Sequence, residues 1–418
     1  MQKILEIFEE ITQIPHCSYQ TKALRDYIVQ KATEFGYSTQ IDKAGNILCS
    51  SPAPKLCLQA HYDMVCVGEA PKIKTIQKDG YLMAKNSSLG ADNGIAIAMI
   101  LHLMSQNASI EALFTNDEEV GLLGAKNLEL TIKSPYLLNL DSEDEGEVFI
   151  GCAGGVDLIV EKNLASLELD RPYYEVTTQG FRGGHSGVDI DKNIPNAIIE
   201  LASYLKEQDA TITFFKGGEK INSIPVLAKA LVQANALKEK EGIVIKAVES
   251  NKKGYDSSFL DDIINFPNGV LEQNNEFNVV ESSSNIALIE CKDGALKIAI
   301  SMRSLDTNKL NSLAKDALKY WQERGYACKL EGFYPGWKPE YNEFSALVQK
   351  SLAQIFPQTK IQVIHAGLEC GILKEKLPNV AFASIGPTIK YPHSINERVQ
   401  IDSIAKTYQA LEKIIASL

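Results

Sequence analysis

The chain has no apolar run of about 18 residues, the length a membrane-spanning helix needs. None of its eight cysteines (Cys17, Cys49, Cys57, Cys66, Cys152, Cys291, Cys328, Cys370) forms a CxxC pair, which removes zinc-ribbon and thioredoxin-like motifs. Scattered thiols of this kind fit a reducing cytoplasm, each cysteine being a small buried hydrophobe. There is no surplus of positive charge: 42 Lys and Arg face 53 Asp and Glu, for a formal charge of -11. That balance argues against a nucleic-acid binder, which wants a basic face. The opening MQKILEIFEEITQIP lacks a basic stretch followed by an apolar core and a small-residue cleavage site. It reads as an amphipathic helix and not a signal peptide.

What remains is an ordinary globular composition, 45% hydrophobic and 23% charged, over 418 residues. At roughly 100–200 residues per domain, that length predicts two domains. Up to residue 165, helical spacing at 2–14, 21–36, 93–105 and 120–128 interleaves with apolar strands at 47–49, 56–60, 110–115 and 136–140. The alternation predicts an α/β domain with a mostly parallel mixed sheet, covered on both faces. Such sheets carry their sites just past the carboxyl ends of the strands. From 166 to 338 the pattern becomes α+β: a strand at 173–181, the loop GGHSG, a helix at 195–207 and a strand at 211–215. Strands at 285–290 and 296–302, a helix at 308–324 and a strand at 327–333 repeat the pattern. This segment is read as an insertion holding two tandem α+β units, closed by the linker YPGWKPE at 334–340. Residues 339–418 return to the first domain, with helices at 341–356 and 399–417.

The polar residues cluster by position. His61 and Asp63 follow the strand LCLQA, Asp92 stands at the mouth of the 93–105 helix, and Glu118 and Glu119 follow the strand 110–115. Asp141 ends YLLNL, and His393 lies in YPHSINE. Two imidazoles and several carboxylates suit a pair of borderline metal ions such as zinc, sharing one carboxylate. One ligand set is His61, Asp92 and Asp141; the other is Asp92, Glu119 and His393. Asp63 is then expected to accept the His61 ring N–H. Taken singly, each residue has an ordinary explanation. A Glu pair favours a helix start, Asp92 can cap a helix, and Asp141 opens a solvated acidic run. Their shared place at strand ends outweighs those readings.

In this order, the motifs QAHYDMV, LGADNGIAIA, NDEEVGLLGA, FRGGHSGVDI and HAGLECGI resemble the M20 metallopeptidases, and within them the aminoacyl-histidine dipeptidase branch. The resemblance implies a zinc-peptidase-like catalytic domain with an inserted α+β lid. It implies two zinc ions per chain, with manganese or cobalt as alternatives, on His61, Asp92 (bridging), Glu119, Asp141 and His393. Glu118 matches the general base, acting on a water held between the two ions, and Asp63 the supporting carboxylate. The Asp92–Asn93 peptide is expected to be cis. His185 in GGHSG resembles the lid histidine that stabilises the oxyanion. In dimeric relatives that histidine reaches across to a partner chain, so a homodimer and action within one chain both stand. Asn222 in INSIP and Arg303 in SMRS resemble residues that hold a substrate carboxylate, for which Arg offers a planar fork. Glu369 in HAGLECG would face the free amine of a dipeptide. His16 and His102 have no strong claim, His365 at the head of HAGLECGI is read as a supporting residue, and residues 233–280 contain no motif.

The reading is therefore a cytoplasmic dinuclear-zinc dipeptidase acting on Xaa-His and other unblocked dipeptides, with no nucleic-acid or membrane partner. A tripeptidase or N-acyl-amino-acid deacylase of the same fold is the alternative. A non-catalytic binding protein is disfavoured by the complete ligand set and Glu118.

Overall fold

A computed structural model describes all 418 residues. The chain divides into two compact units: residues 1–152, 339–363 and 368–418, and residues 153–338 with 364–367.

The first unit is built on an eight-stranded sheet. Its centre is four parallel strands, in the order Ile110–Thr115, Leu56–His61, Tyr136–Asn139, Ala381–Ser384. Antiparallel strands extend it on either side, Ile47–Ser50 beside Ile110–Thr115 and Glu147–Cys152 beside Ala381–Ser384. Leu56–His61 and Ile110–Thr115 are buried at every position, which explains their continuous apolar character. The helix Ala91–Ser105 is apolar almost all round and nearly every residue is buried. Gly94 is required there: a Cβ would lie 2.9 Å from the Phe8 ring of the helix Gln2–Thr12, which packs against it. A separate four-stranded sheet joins Thr75–Lys78, Tyr81–Ala84, Arg398–Gln400 and Ile389–Lys390. The loop between its last two strands carries His393.

Two local expectations change. The helix expected over 120–128 is only Leu123–Lys126. Gly121 (φ 106) and Leu122 (φ 60) are left-handed, so the EEVG stretch turns instead of coiling. Cys17 and Cys66, expected as free thiols, form a disulfide. The pairing rests on a tertiary contact that no sequence spacing shows: Ser18 N–H donates to Met64 O and Met64 N–H to His16 O. Cys49, Cys57, Cys291 and Cys370 are buried free thiols, Cys152 is buried, and Cys328 is half-buried.

The second unit contains one eleven-stranded sheet, in which both α+β patterns lie side by side. The strand Gly154–Asn163 pairs with Ala295–Ser304 and Ala327–Tyr334, so this unit starts before the expected residue 166. Helices Ala197–Glu207, Phe259–Asn265 and Thr307–Gln322 contribute to a single core on this sheet, around the fully buried Trp321. Asn196 and Asp306 cap the first and last of these, each accepting two main-chain N–H bonds. The stretch without motifs supplies the edge strand Ile243–Val248 and the strand Gly269–Asn274.

Candidate metal centre

The carboxyl ends of the central strands bring five side chains together. His61, Asp92 and Asp141 offer ligand atoms all within 4.8 Å of one another, and so do Asp92, Glu119 and His393. A third grouping joins His61, Glu118 and Glu119. Each residue arrives from a different element: His61 ends a strand, Asp92 lies in the first turn of the apolar helix, and His393 sits in a hairpin loop. The Asp92–Asn93 peptide is cis. The Asn93 side chain donates to Leu140 O (3.2 Å) and to the Asp141 carboxylate, tying the helix entry to the strand end that bears Asp141.

His61 Nδ1 lies 2.9 Å from the main-chain carbonyl of Asp63. A carbonyl only accepts, so Nδ1 carries the proton. Nε2 then faces Asp92 Oδ1 at 3.0 Å and Asp141 Oδ1 at 3.5 Å. His393 Nε2 likewise faces Asp92 Oδ2 at 3.1 Å and Glu119 Oε1 at 2.8 Å. Imidazole nitrogens and carboxylate oxygens converging on shared points form a donor set that fits divalent metal ions. Several carboxylates crowd two imidazoles. Burial, with neighbouring carboxylates, holds Glu119 and Asp141 above their ordinary pKa. Burial pushes Glu118 well above the carboxylate range, and Glu119, Asp141 and Glu369 push it further.

Asp63 plays a different part from the one expected. Its carboxylate lies 3.5 Å from His61 Nδ1, and it is the main-chain carbonyl that accepts the ring N–H. The carboxylate accepts from Ser18 Oγ (2.7 Å), Glu118 N (2.8 Å) and Glu119 N (3.3 Å). It therefore fixes the backbone turn that carries both glutamates.

Glu369 is fully buried in this unit. Its Oε2 accepts from Gln59 Nε2 (2.6 Å) and Thr115 Oγ1 (2.5 Å), while Oε1 has no partner. Burial raises its pKa to about 7. His102 stacks on Tyr408 and His16 is bonded to Ile14 O.

In the second unit, His185 pairs with Ser223 in a two-residue ladder. Its Nδ1 accepts from Gly187 N (3.1 Å) and Val188 N (3.2 Å). The proton of the neutral ring is thus on Nε2, which is left as a donor. Burial, with Arg303 adding to it, lowers its pKa to about 4. Arg303 is buried, donates to Tyr334 OH at 2.9 Å, and leaves its Nε unpartnered. His365 bonds Ser283 Oγ at 2.7 Å. Asn222 is exposed, and its main-chain carbonyl accepts from Ser186 N.

Sequence reasoning missed Glu397, Gln59, Thr115 and Ser18, and the side-chain bonds of Asn93. The first lies in the quoted stretch around His393, but nothing in its spacing marks it.

A strand-end cluster of imidazoles and carboxylates on a mixed sheet with a parallel centre is the donor set of a metal-dependent enzyme of the α/β class. The chain belongs to peptidase family M20/M25/M40, whose model matches residues 57–417, and this family implies divalent metal ions. It is 33% identical over 485 residues to the cytosol non-specific dipeptidase of Escherichia coli K12, covering 100% of this chain and 98% of that one. It resembles the crystal structure of aminoacylhistidine dipeptidase from Vibrio alginolyticus with a TM-score of 0.84 and 31% identity, over 100% of this chain and 96% of that one. A tripeptidase from Staphylococcus aureus matches in fold, with a TM-score of 0.62 and 18% identity, over 99% of this chain and 97% of that one. No helix is long and apolar enough to cross a membrane.

Proposed function

We propose that this metallopeptidase hydrolyses unblocked dipeptides, Xaa-His among them, in the cytoplasm, using two zinc ions. The observation that carries this reading is the pair of ligand groups that share Asp92. The names of the two relatives above 30% identity support the dipeptide substrate and the cytosolic place.

His61, Asp92 and Asp141 would hold one ion, and Asp92, Glu119 and His393 the other. When bound, the ions supply Lewis-acid polarisation of the scissile carbonyl and acidify the attacking water. Glu118 takes the proton of that water and returns it to the leaving amine. Burial raises its pKa above that of an ordinary glutamate, which makes the protonated form a better partner for the leaving amine. Asp63 orients Glu118 through the backbone. His185, with Nε2–H as donor, stabilises the developing oxyanion, either within its own chain or in a partner's site. Arg303 and Asn222 hold the substrate carboxylate. Glu369 offers Oε1 to the free α-amine, the end that separates a dipeptidase from a deacylase.

The test is hydrolysis of a panel by zinc-loaded protein, with and without a chelator: Xaa-His dipeptides, other dipeptides, a tripeptide and N-acetyl amino acids. Chelator-sensitive cleavage confined to free dipeptides is expected. Cleavage of only the tripeptide or the acylated substrates overturns the dipeptidase reading. No cleavage by protein carrying two ions favours a binding protein.

A further inference from the structure

Glu397 is buried to 2% exposure, four residues beyond His393, and the mechanism above does not use it. Its carboxylate accepts four consecutive main-chain N–H groups. Oε2 receives Leu89 N at 2.7 Å and Gly90 N at 3.1 Å. Oε1 receives Ala91 N at 2.8 Å and Asp92 N at 3.3 Å. The four donors converge because Gly90 is left-handed (φ 72), which folds the backbone into a concave nest at the start of the helix. A side chain at Gly90 would be excluded on a second ground, since a Cβ would lie 2.9 Å from Met64 Sδ. At its other end Glu397 closes a turn with its own loop, donating its N–H to Ser394 O at 3.2 Å. One carboxylate thus joins the loop that presents Asp92 to the loop that presents His393.

We infer that Glu397 is the positioning residue that sets Asp92 and His393 at the separation needed to share a metal ion. The inference rests on the two-metal reading above and adds a residue to it. Glu397→Gln keeps the shape but places an NH2 group where one pair of N–H donors points. That face repels instead of accepting, so the Asp92 loop is released from one oxygen. Glu397→Asp keeps the charge but is one methylene too short to span both loops.

The test is a cobalt(II) titration followed by visible absorption and calorimetry, which reads metal binding without turnover. The wild-type chain is expected to bind two ions. Because Asp92 belongs to both ligand groups, both variants should bind each ion more weakly, and least so the one on His61 and Asp141. They should bind the other at least about tenfold more weakly, with its absorption band lost or shifted. Two ions bound by either variant with wild-type affinities and spectrum overturns the inference. A wild-type chain that binds no cobalt overturns the metal reading instead.

Should neither variant fold, amide hydrogen exchange on the wild-type chain decides. The amides of Leu89 to Asp92 should stay protected after the metal is stripped, because the carboxylate and not the ion holds them. Exchange of these four amides at open-loop rates in the stripped protein overturns the inference.

Discussion

Asp63 holds Glu118 by the backbone, accepting its N–H at 2.8 Å, while the carbonyl of the same Asp63 fixes the His61 ring at 2.9 Å. One residue thereby sets the tautomer of a candidate ligand and the direction of the candidate base. Asp63→Asn leaves one acceptor oxygen for three donors, and the turn at Glu118 and Glu119 should loosen. Activity should fall roughly 10–100-fold, mostly in kcat, in a protein whose melting is little changed. Equal kinetics for the Asp63→Asn variant and the wild-type protein would remove Asp63 from the machinery.

Glu118→Gln removes the base without changing its size. A kcat lower by roughly 10²–10⁴ is expected, with an unaltered metal-binding isotherm. The sign of the pH effect follows from the raised pKa. The carboxyl stays protonated, and idle as a base, to a higher pH than an ordinary glutamate. The acid limb of kcat/KM should therefore lie above the usual carboxylate range. A limb within that range would contradict the assignment.

Glu369 ties a pH dependence to stability. Its pKa rises from 4.5 to about 7 on folding, so the folded chain binds the proton more tightly than the unfolded one. The stabilisation is fully present below about pH 4.5 and is lost as pH rises through about 7. Denaturant midpoints of the metal-stripped protein should decline across that window, and Glu369→Gln should flatten the decline. The same variant should impair free-dipeptide cleavage and spare N-acyl substrates; parallel loss of both refutes its amine-binding role.

His185 should act as a neutral donor throughout the useful pH range, since its pKa lies near about 4. His185→Ala should cost roughly 10²–10³ in kcat, as for the loss of one oxyanion donor. Nitrogen NMR of the resting protein should show the Nε2–H tautomer at neutral pH, and an Nδ1–H signal would break the argument.

Reduction of the Cys17–Cys66 disulfide opens a constraint of 49 residues. Chain entropy predicts a loss of about 2–4 kcal/mol in the first unit. Guanidinium unfolding with and without a dithiol, compared with Cys17→Ser/Cys66→Ser, measures it. Ser18 lies next to Cys17 and donates to Asp63, so the reduced protein should also lose some activity. An unchanged midpoint would mean that the bond is absent in solution.

The strand ends were legible because each candidate residue follows a buried apolar run. LCLQA stops at His61 and YLLNL stops at Asp141, and the parallel register places such ends on one edge. Glu397 was not legible, because its four partners lie more than three hundred positions away and are main-chain groups that leave no mark in composition. Nor was the Cys17–Cys66 pair, which depends on a loop contact and not on spacing. The 120–128 helix was over-read because left-handed φ values at Gly121 and Leu122 override its apolar content. The hairpin Thr75–Lys78 and Tyr81–Ala84 went unread between two clearer signals.

The second unit does not consist of a single inserted stretch, and this bears on how such a protein can be recombined. Residues 364–367 belong to it, although they follow the return of the chain to the first unit. Ala153 N–H donates to Ile364 O and Ala366 O, and His365 is paired with Ser283. A chimera cut only at 152/153 and 338/339 would bring in a foreign module but keep a four-residue piece fitted to the old one. Exchange of modules between relatives must therefore change four junctions together. Substitutions in 364–367 should track those around Ser283, while Leu368 and Glu369, the next residues along, answer to the other unit.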